Sequence, residues 1–447
     1  MSSGLHDPTL SMESLGQWHP AADRRDPIAV LQRQEANRLP WLVPVRHSRM
    51  AQNAFAFYRG TPAVMAHDLG TAPSTGLEVQ LCGDCHLSNF GFYRSAEGTL
   101  LFDINDFDET VRGPFEWDLK RLAASAVLAA RGLGLDPAQQ GRVARRTARA
   151  YRKAMQQLAK AEWLQVWTER IDVDATIQDV THEPLRKLLT KASAKARSKD
   201  SLEAVGKLCE TGADGLLQLR HDPPLIWRHA QLDRQWTADL HWMELSDQML
   251  NRYLNSIRAD MQVFLSHYRL VDVALKAVGV GSIGSRCAIG LFVGRHANDI
   301  LLLQSKQAEA SVLAPYATTG PPAHQGQRVV EGQRLMQSAS DPALGWTSAP
   351  TGEFYWRLLR NWKGTIDMTA LDATGLAWYG ELCGRALAKA HARSGDRVAI
   401  ATYLDVGKAF DKAMERYGLA YADQSQRDYG QFLAAIKLGH LEGSMIF

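Results

Sequence analysis

The sequence predicts an α+β chain of two lobes, one mostly helical and one built around a small antiparallel β-sheet. Three observations lead there. The 447 residues exceed what one simple hydrophobic core accommodates, so length alone argues for two or three packed lobes. Stretches with helical apolar periodicity follow Pro114 and recur after Gly375. Between them, 271–293 and 299–306 switch to a β-rich pattern that flanks a cluster of glycines.

Taken in order, residues 1–40 scatter Pro, Ser, Gly and His without sustained periodicity and read as a weakly structured N-terminal arm. From Arg49 to about Leu69 the spacing of Met50, Ala54, Phe57, Val64 and Met65 predicts helix, which Gly70–Gly76 ends. A strand over Leu77–Leu81, a loop over Gly83–Gly91, a turn at Ser95–Gly98 and a buried strand over Thr99–Ile104 follow. That strand runs into the acidic segment Asn105-Asp106-Phe107-Asp108-Glu109. Helices are expected over Asp118–Leu133 and, from the Asp136-Pro137 start signal, to about Trp163. The basic stretch Lys187–Lys199 reads as a solvated helix face, and a further helix runs from about Leu245 to Tyr268. After the β-rich segment come a helix near Arg328–Ser338, a strand near Phe354–Leu359 and closing helices around Gly375–Ala392 and Phe410–Ala435.

Composition excludes several classes. A net charge of +3, with 45% hydrophobic and 22% charged residues, belongs to an ordinary globular protein and gives no reason to expect a nucleic-acid surface. No apolar run approaches a membrane span, and Met1–Arg49 lacks a basic segment followed by an apolar one, so neither membrane nor export is expected. Five scattered cysteines, Cys82, Cys85, Cys209, Cys287 and Cys383, argue for a reducing compartment, the cytoplasm.

The first chemical constellation is Cys82-Gly83-Asp84-Cys85-His86-Leu87-Ser88-Asn89. Phosphoryl transfer needs a carboxylate to receive or orient a hydroxyl proton and oxygen ligands to hold Mg²⁺ on the phosphates. Asp84 suits the first role and Asn89 the second. A second carboxylate arrives at the end of a buried strand, where an acid has little structural use unless paired or metal-bound. Asp106 is the preferred metal ligand. Asp103 is its rival, and strand alternation points the two to opposite faces. An acidic turn without metal is the plain alternative. His86 reads as a residue that orients the loop, and Arg59 and Arg286 as guanidinium groups suited to phosphate or simply to the surface. His391 is expected at a helix end, where packing is favoured over catalysis. Cys82-Gly83-Asp84-Cys85-His86 also matches a c-type haem attachment pattern, which the absence of an export signal argues against, and zinc would need two more ligands.

The run Gly83-Asp84-x-His86-x-x-Asn89, then Asp106-Phe107, then Gly113-Pro114-x-x-Trp117-Asp118-Leu119, resembles the catalytic core of the aminoglycoside-phosphotransferase branch of the protein-kinase-like superfamily. The resemblance implies Asp84 as catalytic base, Asn89 and Asp106 as Mg²⁺ ligands, and Asp118 as the brace of the catalytic loop. Cys82 stands where that branch usually has His.

Far downstream, Val278-Gly279-Val280-Gly281-Ser282-Ile283-Gly284 forms a G-x-G-x-x-G run, and the apolar strand-like segment Cys287–Val293 after it predicts a hairpin over phosphates rather than a Rossmann turn. The next strand delivers Lys306, and a helix about 25 residues on carries Glu331. A third-strand lysine on the nucleotide phosphates, held by a helix glutamate, is the kinase arrangement. A solvated lysine and an exposed helix glutamate are the alternatives. Because the catalytic loop precedes the glycine loop, the order is that of a circularly permuted kinase-like fold. It divides into the arm 1–40, a catalytic-loop and helical lobe 41–268, a nucleotide-binding β lobe 269–364 and helices 365–447 that complete the helical lobe.

Over most of its length the chain also resembles the bacterial domain of unknown function 2252. The resemblance rests on Phe57-Tyr58-Arg59-Gly60, Cys82–Gly91, Phe102–Leu119, Val278–Arg286, Gly326–Gln337, Leu359–Gly364 and Ala390-His391-Ala392-Arg393-Ser394-Gly395-Asp396. The expectation is thus an ATP- and Mg²⁺-dependent phosphotransferase acting on a hydroxyl-bearing acceptor. A metal-dependent hydrolase using Asp84, His86, Asp103 and Asp106, and a nucleotide-binding pseudokinase that serves as an interaction module, are the competing classes.

Overall fold

The helical layer begins with Glu116–Gly132, whose run of buried alanines (Ala123, Ala124, Ala126, Ala130) combines high helix propensity with close packing. Gly134, at φ +70°, ends it, and the Leu135 amide donates back to the Ala130 carbonyl. The following helix, Pro137–Ala159, opens on a capping box between Asp136 and Gln139 with Pro137 in the first turn. Two C-terminal helices, Ala373–Ala392 and Lys408–Lys437, pack against this pair. Glycine permits the closest approach: a Cβ on Gly384 would lie 2.4 Å from the Thr147 carbonyl oxygen.

The computed structural model describes residues 9–199, 201–213, 215–229, 242–277, 283–296, 298–359 and 362–443. The helices 116–159 and 373–437 thus form one body, although more than 200 residues separate them in the chain.

The β-rich segment forms a six-stranded antiparallel sheet in the order Gly345–Ala349, Gly352–Leu358, Ile300–Ala308, Cys287–Val293, Arg269–Lys276, Ile226–Arg228. Its middle strands are buried on both faces, as in a covered sheet, with apolar side chains over Cys287–Val293 and Ile300–Leu303 and polar ones from Gln304 to Gln307. Helix Gln325–Met336 packs on the strands 300–308, 345–349 and 352–358. Tyr253, Ile257 and Leu265, from the two helices Trp242–Leu254 and Ala259–Ser266 and the turn between them, join Leu270, Phe292, Leu303 and Trp356 in a separate apolar cluster. Val329, Val330, Met336 and Tyr355 belong instead to the main core with the helical body, so sheet and helices share buried apolar contacts. A short pair, Glu78–Leu81 with Val111–Pro114, and a three-stranded sheet of Phe90–Arg94, Leu100–Ile104 and Ile171–Asp172 complete the β-structure that bears on the site.

Three expectations need correction. The segment 9–40 is ordered: it contains helices Met12–Gly16 and Pro27–Glu35, buries Leu15, Trp18 and Leu31, and is tied down by Arg24, whose guanidinium bridges Asp68 and Asp428. Its Ser, Asp and Pro are helix starts, with Ser11 and Asp26 as N-caps and Pro27 in the first turn. The helix expected over 49–69 is two, Ala54–Gly60 and Pro62–Gly70, preceded by Val43–Met50, because Pro62 lacks the amide needed to continue the first. The helix expected over 245–268 breaks at Asn255–Arg258, where Ser256 Oγ accepts the amide of Trp346 on the sheet edge. Among the described residues no helix is long and apolar enough to cross a membrane.

Candidate functional site

Strand Glu78–Leu81 leads into the Asp84 loop, which turns at Gly83. That residue has φ +84°, and a Cβ there would lie 2.1 Å from the Glu109 carbonyl oxygen, so two reasons require glycine. Asp118, in the first turn of helix Glu116–Gly132, braces the loop: Oδ2 accepts the Cys82 amide at 2.8 Å and Oδ1 the Gly83 amide at 3.0 Å. Buried His391 lies with Nε2 3.2 Å from Asp118 Oδ2, and its Nδ1 is 2.9 Å from the Tyr151 hydroxyl. His391 is thus a buttress of the brace, a packing role. The thiols of Cys82 and Cys85 lie with the Asp118 carboxylate in one buried cluster, but both Asp118 oxygens are already occupied by loop amides.

Asp84 is held by a residue the sequence reading passed over. Arg121 Nε donates to Asp84 Oδ1 at 2.5 Å, while Nη2 donates to the Tyr58 carbonyl at 2.9 Å. Arg121 stands three residues after Asp118 on one helix face, which is the signal that would have found it. The other carboxylate oxygen, Oδ2, lies 3.7 Å from His86 Nε2. Burial pushes the His86 imidazole down to about 3, so it is neutral at physiological pH. Asn89 closes the loop, its Nδ2 donating to the carbonyls of Asp84 at 3.1 Å and Asp106 at 3.0 Å. Its Oδ1 is buried and has no hydrogen-bond partner.

Across from this loop stands Lys306, on the third strand of the meander 269–308 and opposite Cys287 and Tyr355 in register. Its side chain is 3% exposed, pairs with Asp108 Oδ2 and lies 3.8 Å from Asp106 Oδ2. Burial opposes the ammonium charge, but Asp106 and Asp108 outweigh it and hold Lys306 above its ordinary pKa. Burial likewise works against the Asp108 carboxylate, and the paired lysine carries it below the usual range. Asp106 is pushed up by the low polarity of its surroundings and the adjacent Asp108 charge, yet its side chain is 45% exposed and opens to solvent. Chain separation has collapsed: Lys306 meets Asp106 and Asp108, about 200 residues earlier in the chain, and Asn89 of the Asp84 loop holds the Asp106 carbonyl.

One predicted partnership is absent among the described residues. Glu331 is exposed, accepts from Gln327 Nε2 and, among the described residues, forms no pair with Lys306. Helix Gln325–Met336 meets the acidic segment through Arg328 instead, whose guanidinium donates to the carbonyls of Asp108, Thr110 and Glu309. Gly332 packs on the Thr110 side chain, and that rotation turns Glu331 outward. Lys306 takes Asp108 in its place, and the Tyr355 hydroxyl donates to the second Asp108 oxygen at 2.8 Å. Asp103 faces away from the cleft, 1% exposed and ion-paired with Lys389, so it is a structural acid and Asp106 is the carboxylate left at the site.

Gly279, Gly281 and Ser282 lie outside the described residues. Gly284, at φ +92°, is described: its carbonyl accepts the Leu39 amide at 2.7 Å, and Arg38 Nη1 donates to the Ile283 carbonyl at 2.6 Å. The end of the glycine segment is thereby pinned to residues 38–39. Arg286 pairs through its backbone with Gln307 and is not among the groups at Asp84. Lys363, missed in the sequence, is held down to about 7 by burial and by neighbouring Arg357.

The family model described as "Uncharacterized protein conserved in bacteria (DUF2252)" matches residues 38–435, a span that includes every residue of this site. Neither a curated protein nor a solved structure gives a match. The chain belongs to the DUF2252 family of bacterial proteins.

Proposed function

We propose that this protein is an ATP- and Mg²⁺-dependent phosphotransferase with a kinase-like fold in circularly permuted order, acting on a hydroxyl-bearing small molecule or protein. The observation that carries the reading is the meeting of Lys306 with the Asp106-Phe107-Asp108 segment beside Asp84 and Asn89. A buried strand lysine opposite a carboxylate pair and an unsatisfied amide oxygen is what phosphate and metal binding require. The Asn89 and Asp106 groups fit Mg²⁺: Asn89 Oδ1 is buried without a partner and the Asp106 carboxylate opens to solvent, so a hard cation would complete both. Bound there, Mg²⁺ would neutralise phosphate charge. Arg121 fixes Asp84 through Oδ1, which leaves Oδ2 to accept the proton of an acceptor hydroxyl. Lys306 would donate to the nucleotide phosphates. The buried free cysteines among the described residues accord with a cytoplasmic setting.

A second reading, a nucleotide-binding pseudokinase, draws on the missing Lys306–Glu331 pair. Turnover separates the two. For nucleotide binding itself, Mg²⁺ with ATP at a hundredfold excess over Kd should add about 2.7 kcal/mol of stability. The melting temperature should rise with ATP only when Mg²⁺ is present, and Lys306→Ala should weaken the rise. Unchanged melting at millimolar nucleotide would remove both readings.

A further inference from the structure

We propose that Arg59 is an anion-binding residue that receives the transferring phosphoryl group, a role that rests on the phosphotransferase reading above. Arg59 lies in the last turn of helix Ala54–Gly60, which two contacts seat against the Asp84 loop. The carbonyl of its neighbour Tyr58 accepts Arg121, the same arginine that holds Asp84, and the ring of Phe55 meets the edge of His86 with centroids 6.4 Å apart. The charges that act on Arg59 are those of Asp84 and Asp106.

What sets this arginine apart is a guanidinium with neither a carboxylate nor a carbonyl to receive it. Among the described residues it makes no hydrogen bond and no ion pair, and its Nε is buried without a partner. Other buried arginines have partners: Arg24 bridges Asp68 and Asp428, Arg46 pairs with Glu35, Arg121 with Asp84 and Arg152 with Asp411, while Arg328 and Arg393 donate to backbone carbonyls. The two carboxylates that act on Arg59 are engaged elsewhere, Asp84 by Arg121 and Asp106 near Lys306. A half-buried guanidinium kept without a partner is unfavourable unless an anion completes it. The fork of a guanidinium matches phosphate oxygens. Its position is decisive, because a phosphoryl group passing from nucleotide to acceptor travels between the base and the metal-binding carboxylate.

In the transfer, the acceptor oxygen forms a bond to the γ-phosphorus as the bond to the β-phosphate oxygen breaks. ADP leaves with that electron pair and the acceptor proton goes to Asp84 Oδ2. Arg59 forms and breaks no covalent bond. It donates N–H groups to the equatorial oxygens while their charge spreads, as an arginine finger supplied within the same chain.

The test uses the full-length protein and aluminium fluoride, which with Mg²⁺ and ADP mimics the planar phosphoryl group. Wild type should melt higher with Mg²⁺, ADP and aluminium fluoride than with Mg²⁺ and ADP. Arg59→Ala should lose that increment while keeping the Mg²⁺–ADP shift, and Arg59→Lys should recover part of it. Turnover in Arg59→Ala should fall on the order of a thousandfold. Because the group is unpaired, Arg59→Met should melt no lower than wild type, whereas Arg121→Met should melt lower. An undiminished aluminium fluoride increment in Arg59→Ala, or an Arg59→Met that melts well below wild type, would overturn the assignment. A wild type that binds neither nucleotide takes the phosphotransferase reading down, and this inference with it.

Discussion

Replacing Asp103 tests whether it is a structural acid or a ligand of the proposed metal site, and the structure sets the size of the effect. Asp103 and Lys389 are ion-paired with side chains only 2% exposed, and Asp103 Oδ1 also accepts the Ile104 amide at 3.0 Å. Removing one member of such a pair strands the other charge in a medium that solvates it poorly, at a cost of about 3–5 kcal/mol. Asp103→Asn keeps an acceptor for Ile104 and removes only the charge, so the lower end, about 3 kcal/mol, is expected. Replacing both members by apolar groups, Asp103→Leu with Lys389→Met, removes the stranded ammonium and should return stability to within ~1 kcal/mol of wild type, or above it. Urea unfolding at neutral pH measures all three chains, and calorimetric titration with Mg²⁺ and ATP measures binding in the double variant, where it should be unchanged. Wild-type stability in Asp103→Asn, or loss of Mg²⁺-dependent binding in the double variant, would return Asp103 to the metal site and refute the reasoning.

The lysine anchor gives a second contrast: Asp108→Ala should weaken nucleotide binding about tenfold, worth ~1.4 kcal/mol, while Glu331→Ala leaves it unchanged. In a Lys306→Ala background the Asp108→Ala loss should vanish, and an additive loss there would show that Asp108 acts apart from the lysine. Glu109 supplies a pH dependence. Burial raises its carboxyl from 4.5 to about 7, so its contribution to stability is complete below the unfolded pKa and is lost as pH rises through 7. Glu109→Gln, which can still accept the Val312 amide, should flatten the stability profile over that window and be more stable at pH 8 by about 2–3 kcal/mol. Parallel profiles for wild type and variant would show that Glu109 is not the group responsible.

What the sequence determined by itself was local. The spacing of Gly83, Asp84 and Asn89, the Asp118 that follows Gly113-Pro114, and the alternating strands that deliver Lys306 are patterns within a few residues of one another, and turn chemistry and period-2 alternation act at that range. The helical layer was legible for the same reason, in apolar periodicity and in signals such as Asp136-Pro137. Other choices belonged to the tertiary structure, because they depend on partners that spacing does not place. Asp103 and Asp106 look alike on paper, and Lys389, reached only when helix Ala373–Ala392 packs behind the strand, neutralises one and leaves the other at the cleft. Glu331 has the right distance along the chain to hold Lys306, but the helix rotates to seat Gly332 on Thr110 and Arg328 on three carbonyls, so Glu331 faces solvent and Asp108 takes the lysine. The segment 9–40 shows the same limit: its polar composition resembles that of a loop, and burial of Leu15, Trp18 and Leu31 together with the packing of Arg24 between Asp68 and Asp428 holds it as part of the fold. Local propensity sets which elements form, whereas the burial of one charge against another, hundreds of residues away, decides which of several equivalent side chains is left free to act.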